Sequence, residues 1–264
     1  MQKPESSVDL SVIVPSYNAG ALAHKSAETL HDYLLALGIS FEIVIVDDGS
    51  QADSRPDPNS LPAGARLLQL PVNRGKGCAV RTGLIATVGR CRIFTDVDLP
   101  YGLDSLEACY DAIIVDGADF VYGDRSLPAS SREAHPSWRR RLSSALFRFA
   151  VSRIVELPPT DTQCGLKGFR GEIADSIAPL LRTDHFAFDV EIFRCALDNG
   201  LRCRPIPVRL VNEDISTVRL IRDSVTMVRD LVTIRGRAAR GEYKRHTNGE
   251  HRVAPELPRH TFAE

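Results

Sequence analysis

The sequence predicts an α/β domain of Rossmann-like type, a mostly parallel central sheet flanked by helices. Three observations predict it. Short apolar, β-branched runs recur at Leu10–Val14, Phe41–Val46, Arg66–Leu70, Cys91–Thr95 and Ala118–Tyr122. Most are continuous rather than alternating, as in strands buried on both faces. Helix-length stretches separate them at Gly20–Leu37, Arg74–Val88 and Gly102–Val115, and strand, helix, strand in repeated order marks parallel crossover units. Finally, 43% of the 264 residues are hydrophobic and 25% charged, the composition of a globular chain with a substantial core.

The second half reads differently. Ser137–Val155 predicts a long helix, Leu157–Pro159 a break and Thr160–Gly168 a loop. Phe186–Asn199 predicts a further helix and Cys203–Val211 a strand, with Pro205 and Pro207 marking an edge position. Ser216–Arg235 has the pattern of an amphipathic, arginine-studded helix. From about Gly241 the chain is polar, charged and proline-bearing, which predicts a flexible tail over 241–264 behind one domain over 1–240. No internal repeat or linker divides that domain.

Charge and cysteine usage exclude several classes. The formal net charge is −1, so no global field draws the chain to nucleic acid. None of the six cysteines forms a Cys-x-x-Cys pair, which argues against a zinc knuckle or a redox motif. With no signal segment in the sequence, reduced thiols in the cytoplasm are the expectation. No apolar run approaches the roughly 18 residues of a spanning helix. A lipid substrate would therefore be met at the cytoplasmic face of a membrane or through a membrane partner.

Three polar clusters follow three apolar runs: Pro15-Ser16-Tyr17-Asn18, Asp47-Asp48-Gly49-Ser50 and Asp96-Val97-Asp98. Ligands of open parallel sheets bind outside the carboxyl ends of the strands, so the clusters should converge. Asp96 and Asp98 are the sharpest pair. In an extended segment residues i and i+2 share a side, and two carboxylates on one side suit a hard divalent cation, Mg²⁺ or Mn²⁺. An isolated Asp-x-Asp is more often a solvated turn; its place at a strand end favours the site. Asp47 and Asp48 could accept hydrogen bonds from a nucleobase imide or from ribose hydroxyls, or could simply build a turn, for which Asp-Gly-Ser is good chemistry. Asn73-Arg74-Gly75-Lys76-Gly77 opens a helix and offers an N-terminus and a lysine to a phosphate. It is neither a P-loop nor Gly-x-Gly-x-x-Gly, since position 80 is Val80. Between Arg125 and Arg153 stand seven arginines against one acidic residue, Glu133. The cluster suits a phosphorylated acceptor, and is equally a solvated basic face. The six arginines of Ser216–Arg240 suit an anionic membrane surface, or an ordinary surface helix.

These residues resemble glycosyltransferase family 2, and within it the dolichyl-phosphate glucosyltransferase and mannosyltransferase group. The resemblance rests on Val12–Asn18, Glu42–Ser50, Asn73–Gly77 with Val80–Leu84, Phe94–Pro100, Gly123–Ser126, Asp161–Lys167 and Phe188–Ile192, in family order from about Leu10 to Arg235. It implies a GT-A fold and an inverting transfer of a hexose to a polyprenyl phosphate. The donor would be a UDP-sugar, UDP-glucose foremost, or GDP-mannose. By resemblance Pro15, Tyr17 and Asp48 line the base and ribose, with Asp47, Lys76 and Val97 beside the donor. Asp96 and Asp98 hold the metal and diphosphate, and Asp98 counts as catalytic. Arg125 and the group Arg139, Arg140 and Arg141 hold the acceptor phosphate, with Ser216 near the substrate loop. The sequence departs from the group at Ala19, where Glu is frequent.

A phosphate monoester is ionised near neutral pH, with a second pKa of about 6, and attacks without a catalytic base. A hydroxyl acceptor would need one, for which Asp189 and Glu191 are the candidates. That acceptor class, a nucleotidyltransferase and a non-catalytic binding subunit remain the alternatives.

Overall fold

The computed structural model describes residues 8–132, 148–158, 160–211 and 222–245. Its centre is a seven-stranded mixed sheet. In chain order the elements are β1 (Leu10–Ser16), α1 (Gly20–Leu37), β2 (Phe41–Asp47), β3 (Ala65–Gln69), α2 (Lys76–Ala86), β4 (Cys91–Phe94), α3 (Leu103–Ile114), β5 (Phe120–Asp124) and the short β6 (Ser131–Arg132). A helix then covers residues 148–154 (α4). It is followed by β7 (Lys167–Arg170), α5 (Gly171–Ile177), α6 (Phe188–Asp198), β8 (Cys203–Pro207), β9 (Arg209–Leu210) and α7 (Arg222–Ala239). The sheet order is β3-β2-β1-β4-β7-β5-β8, with β6 and β9 forming a small second sheet.

Strands β3, β2, β1 and β4 are parallel neighbours, as β5 and β8 are. Strand β7 runs antiparallel between β4 and β5. Its first two residues, Lys167 and Gly168, replace the end of the loop predicted over Thr160–Gly168, and α5 follows directly. Strand β8 lies at the sheet edge, where the missing N–H groups of Pro205 and Pro207 cost no ladder bond on the open side. The strand expected over Cys203–Val211 is split at Val208 into β8 and β9.

The alternation of side chains along buried strands feeds two apolar layers. Val12, Val14, Ile43, Ile45 and Ile93 face α1 and α3, meeting Ala27, Leu30, Leu34, Cys109 and Ile113. Ile13, Val44, Val46 and Phe94 face the other way, toward α2, α5, α6 and α7, with Val80, Leu84, Ala174, Phe193, Leu231 and Ile234. Phe120 of β5 stacks on its cross-strand neighbour Phe169 at 4.8 Å, and Phe193 closes edge-on over Tyr122 at 4.7 Å. Such aromatic pairs add to simple area burial.

The packed chain continues past the boundary expected at residue 240. Tyr243 is fully buried, and the Arg245 N–H donates to Asn199 Oδ1 at 2.8 Å. All six cysteines are free thiols. Among the described residues, no helix is long and apolar enough to cross a membrane.

Candidate active site

The direction of the strands decides where the site forms. The carboxyl ends of β1, β2, β4 and β5 lie on one side, carrying Pro15–Asn18, Asp47–Ser50, Thr95–Asp98 and Asp124–Ser126. Strand β7 runs against them, so its first residue, Lys167, stands opposite Phe94 and Tyr122. The segment that precedes it, Asp161–Leu166, therefore arrives at the same end. The polar clusters therefore gather at one end of the sheet, together with one segment that strand ends alone do not account for.

The loops after β1 and β2 are tied together. The Asp48 N–H donates to the Ser16 carbonyl at 2.8 Å. Asn18 is left-handed, with φ 50°; its N–H donates to Ser50 Oγ at 2.7 Å and its Oδ1 accepts from the Gln51 N–H at 2.9 Å. Pro15 is buried opposite Val46, whereas Tyr17 is 49% exposed and available to stack on a planar ligand. The acidic pair takes part in closing these loops. Asp47 is fully buried and accepts from Ser50 Oγ, with Arg55 Nε 3.7 Å away. Asp48 accepts from the N–H groups of Arg74 and Gly75 at 2.9 and 2.7 Å. Both carboxylates help to build the loop, and Asp48 uses one acceptor site on each oxygen to do so. Gly49 has φ 71°, and a Cβ there would lie 2.7 Å from Val72 Cα; only glycine lets this loop close on the one that follows β3.

The start of α2 departs from the sequence reading. Its Gly77 and Cys78 N–H groups both donate to the Asp184 carbonyl, at 2.8 and 3.3 Å. The helix N-terminus is thus capped by the protein rather than open to a phosphate. The Asp184 carboxylate receives Arg74 Nη2 at 2.8 Å and Arg81 Nη2 at 2.6 Å. Burial pushes this carboxyl up, but the two arginines outweigh burial and hold it below its usual range. What α2 gives the crevice is the side chain of Lys76, 23% exposed and paired with Asp96.

Asp96 and Asp98 lie in a turn, not in the extended segment the sequence suggested. The Leu99 N–H donates to the Asp96 carbonyl at 3.0 Å, and Leu99 takes φ 45°. Ser26 Oγ fixes the middle of the turn by donating to the Val97 carbonyl. Asp96 sits on the face of Gly165, where a Cβ would come 2.7 Å from its Cγ and closer still to Oδ2. Burial lowers the pKa of Lys76, but Asp96 first, then Asp189 and Asp98, more than restore it, and the ammonium is held above its usual range. The donor set of the turn, two carboxylates with no sulfur or imidazole, fits Mg²⁺ or Mn²⁺. Among the described residues no third protein ligand joins them, which leaves coordination positions for diphosphate oxygens and water.

On the far wall, Arg125 grips Asp161. Nε and Nη2 donate to the two carboxylate oxygens at 2.7 and 2.8 Å, and the Arg125 N–H adds a third bond at 3.1 Å. Arg125, the arginine expected at the acceptor phosphate, thus has one edge of its guanidinium engaged by Asp161. Arg139, Arg140, Arg141 and Ser216 lie outside the described residues. Asp189 and Glu191 are corrections too, for neither faces the crevice as a free base. Asp189 is 4% exposed and accepts from Lys167 Nζ at 2.5 Å; burial raises its carboxyl against the pull of Lys167 and Lys76. Lys167 is itself fully buried and donates to the Cys164 carbonyl at 2.6 Å. Glu191 accepts from the N–H groups of Arg182 and Thr183, from Arg237 Nη1 and from the Tyr243 hydroxyl. Sequence reading gave no individual role to Asp161, Gly165, Lys167 or Asp184; membership of the Asp161–Lys167 motif was the one signal for the first three.

Comparison with known proteins agrees with this architecture. Residues 11–177 match the profile of Glycosyl transferase family 2. A dolichyl-phosphate beta-glucosyltransferase of Dictyostelium discoideum is 31% identical over 262 residues, covering 92% of this chain and 79% of its own. One from Drosophila melanogaster is 32% identical over 251 residues, covering 86% and 74%. Among solved structures, glucosyl-3-phosphoglycerate synthase from Mycobacterium tuberculosis, in complex with Mn²⁺, UDP and glucosyl-3-phosphoglycerate, superposes with TM-score 0.61 at 17% identity, over 87% of this chain and 80% of that one. Mannosyl-3-phosphoglycerate synthase from Rubrobacter xylanophilus gives 0.57 at 16%, over 95% and 79%. These neighbours bear out the GT-A fold. This chain belongs to glycosyl transferase family 2 and is a hexosyltransferase.

Proposed function

We propose that this chain transfers glucose from UDP-glucose to a polyprenyl phosphate of dolichyl type, with inversion at the anomeric carbon and with a divalent cation at Asp96 and Asp98. One observation carries the reading. The Asp96–Leu99 turn, paired with Lys76, and Arg125 follow strand ends on the same side of the sheet, while the two candidate bases, Asp189 and Glu191, are locked in buried hydrogen bonds. A site with cationic groups whose two candidate bases are engaged elsewhere suits an acceptor that arrives already ionised. The similarity to dolichyl-phosphate beta-glucosyltransferases supports the same acceptor and sugar.

The chemistry follows from those groups. An acceptor phosphate oxygen attacks C1 of the glucose, the bond from C1 to the UDP oxygen breaks, and its electron pair leaves on the diphosphate. A divalent ion, when bound, neutralises that departing charge. Lys76 adds a positive charge at the same point, and Arg125 brings the acceptor anion into line, where alignment and charge complementarity supply most of the acceleration. Attack opposite the α-linked leaving group leaves a β-glucosyl phosphate. Tyr17 offers its exposed ring to the uracil. The site meets its lipid at a membrane surface, for which the basic, amphipathic C-terminal helix is suited.

The test is transfer of radiolabel from UDP-glucose into an organic-phase product with Mn²⁺ or Mg²⁺. Dolichyl phosphate, undecaprenyl phosphate and the unphosphorylated polyprenol are compared as acceptors, and GDP-mannose as donor. Label on the lipid phosphates alone, with release of UDP, is expected. Equal transfer to the polyprenol, or pyrophosphate in place of UDP, would overturn the reading.

A further inference from the structure

The Arg125–Asp161 pair does more than close the crevice wall. A guanidinium has five N–H donors arranged along flat edges. Asp161 takes the edge formed by Nε and Nη2, at 2.7 and 2.8 Å, and adds the backbone N–H at 3.1 Å. Among the described residues no hydrogen bond occupies the edge formed by Nη1 and the second Nη2 hydrogen, and Arg125 keeps 28% of its side-chain surface while Asp161 keeps 12%. An arginine clamped on one side presents the other in a fixed plane, as bidentate recognition of a phosphate requires. Four residues further on, Gly165 seats Asp96, and its N–H donates to the Tyr101 hydroxyl at 3.3 Å. Tyr101 is 7% exposed, and its hydroxyl is within electrostatic range of both Arg125 and Asp96. One short segment thus holds the arginine at one end and the carboxylate turn at the other.

We propose that Asp161 is a positioning residue that aims the open edge of Arg125 at the acceptor phosphate, so that residues 161–165 set the separation between the acceptor anion and the departing diphosphate. The inference rests on the phosphate-acceptor reading above. Removing the carboxylate frees a long, flexible arginine to swing, and the fault falls on acceptor capture rather than on the donor.

The experiment compares wild type with Asp161→Asn, Asp161→Glu, Arg125→Lys and the Asp161→Asn/Arg125→Lys double variant. Acceptor KM is measured at saturating UDP-glucose, together with donor KM and the UDP dissociation constant by calorimetry. Asp161→Asn is expected to raise acceptor KM about tenfold, the worth of a charge-assisted bidentate contact, while donor KM and UDP affinity stay within about twofold. Asp161→Glu, which keeps the carboxylate, recovers most of the loss. Because the two residues act as one unit, the double variant is no worse than Arg125→Lys alone. Additive losses, or an acceptor KM unchanged by Asp161→Asn, would overturn the proposal, as would equal damage to donor and acceptor. If Asp161→Asn fails to fold, Asp161→Glu and Arg125→Lys decide: a donor defect matching the acceptor defect in either refutes it. Failure of wild type to use any polyprenyl phosphate would instead refute the underlying function.

Discussion

Replacing Gly165 with alanine tests the crevice at its narrowest point. The new Cβ would stand 2.7 Å from Asp96 Cγ, and nearer to Oδ2, where ordinary contact begins at 3.4 Å. Gly165 is restrained by its bond to the buried Tyr101 hydroxyl, and two residues later the chain is anchored by Lys167. The carboxylate therefore yields, by roughly 1 Å. A displacement of that size in a reacting constellation costs about 100-fold in rate, or about 2.7 kcal/mol of transition-state stabilisation. Initial rates of glucosyl transfer should fall by that factor. Calorimetric titration with UDP should show a loss confined to the affinity gained on adding Mn²⁺. Gly165 does not occupy a positive-φ conformation, so alanine strains no backbone there and the melting temperature should move little. Wild-type UDP affinity in the presence of Mn²⁺ would refute the claim that Gly165 seats the metal carboxylate.

Three further outcomes follow from the same structure. Asp98→Ala should reduce transfer below detection and remove the Mn²⁺ dependence of UDP binding; metal-dependent transfer that survives would exclude Asp98 as a ligand. Glu191→Ala leaves Arg237 and two backbone donors facing a buried gap, a loss of about 3–5 kcal/mol, read as a fall of about 10 °C in melting temperature; a shift within 2 °C, roughly the effect of 1 kcal/mol or less, would show that the hub carries no stability. For Asp119, burial pushes the carboxyl up, but its hydrogen bonds with Arg202 outweigh that and hold it below the usual range. A carboxyl depressed on folding contributes stability above its unfolded pKa and loses it as pH falls toward the folded value. Urea midpoints should therefore drop from about pH 5 downward, and Asp119→Asn should flatten that drop; an unchanged slope would contradict the shift.

Much of this architecture was legible because local patterns and long-range packing agree. Helix α1 spans the predicted Gly20–Leu37, since Ala23, Ala27, Leu30 and Leu34 keep one apolar face and Gly38 closes the helix in the left-handed conformation. Strands β1, β2 and β4 sit where their apolar runs placed them, and so did the polar clusters at their ends. Strand β7 was not legible: Lys-Gly-Phe-Arg has neither a β-branched run nor alternation, and only the sheet around it makes it a strand. The roles within the site were hidden for a different reason. Arg74 and Asp184 are 110 residues apart, and Lys167 and Asp189 are 22. Which acidic residue serves a ligand and which serves the chain is decided by these distant partners. Asp47 and Asp98 look alike in sequence; Ser50 and Arg55 turn the first inward, and the left-handed Leu99 shapes the turn that carries the second.

The reversed direction of β7 has a consequence for how such a crevice can be altered. The donor wall is assembled from loops that follow consecutive parallel strands, and changing one disturbs the crossover that leads to the next. Residues 161–166 enter from the opposite end of their strand, with their own anchor in the buried Lys167–Asp189 pair. They form a replaceable wall: a transplanted loop of equal length that keeps glycine at 165, joined at Thr160 and Lys167, could re-aim an acceptor while leaving the seat of Asp96 in place.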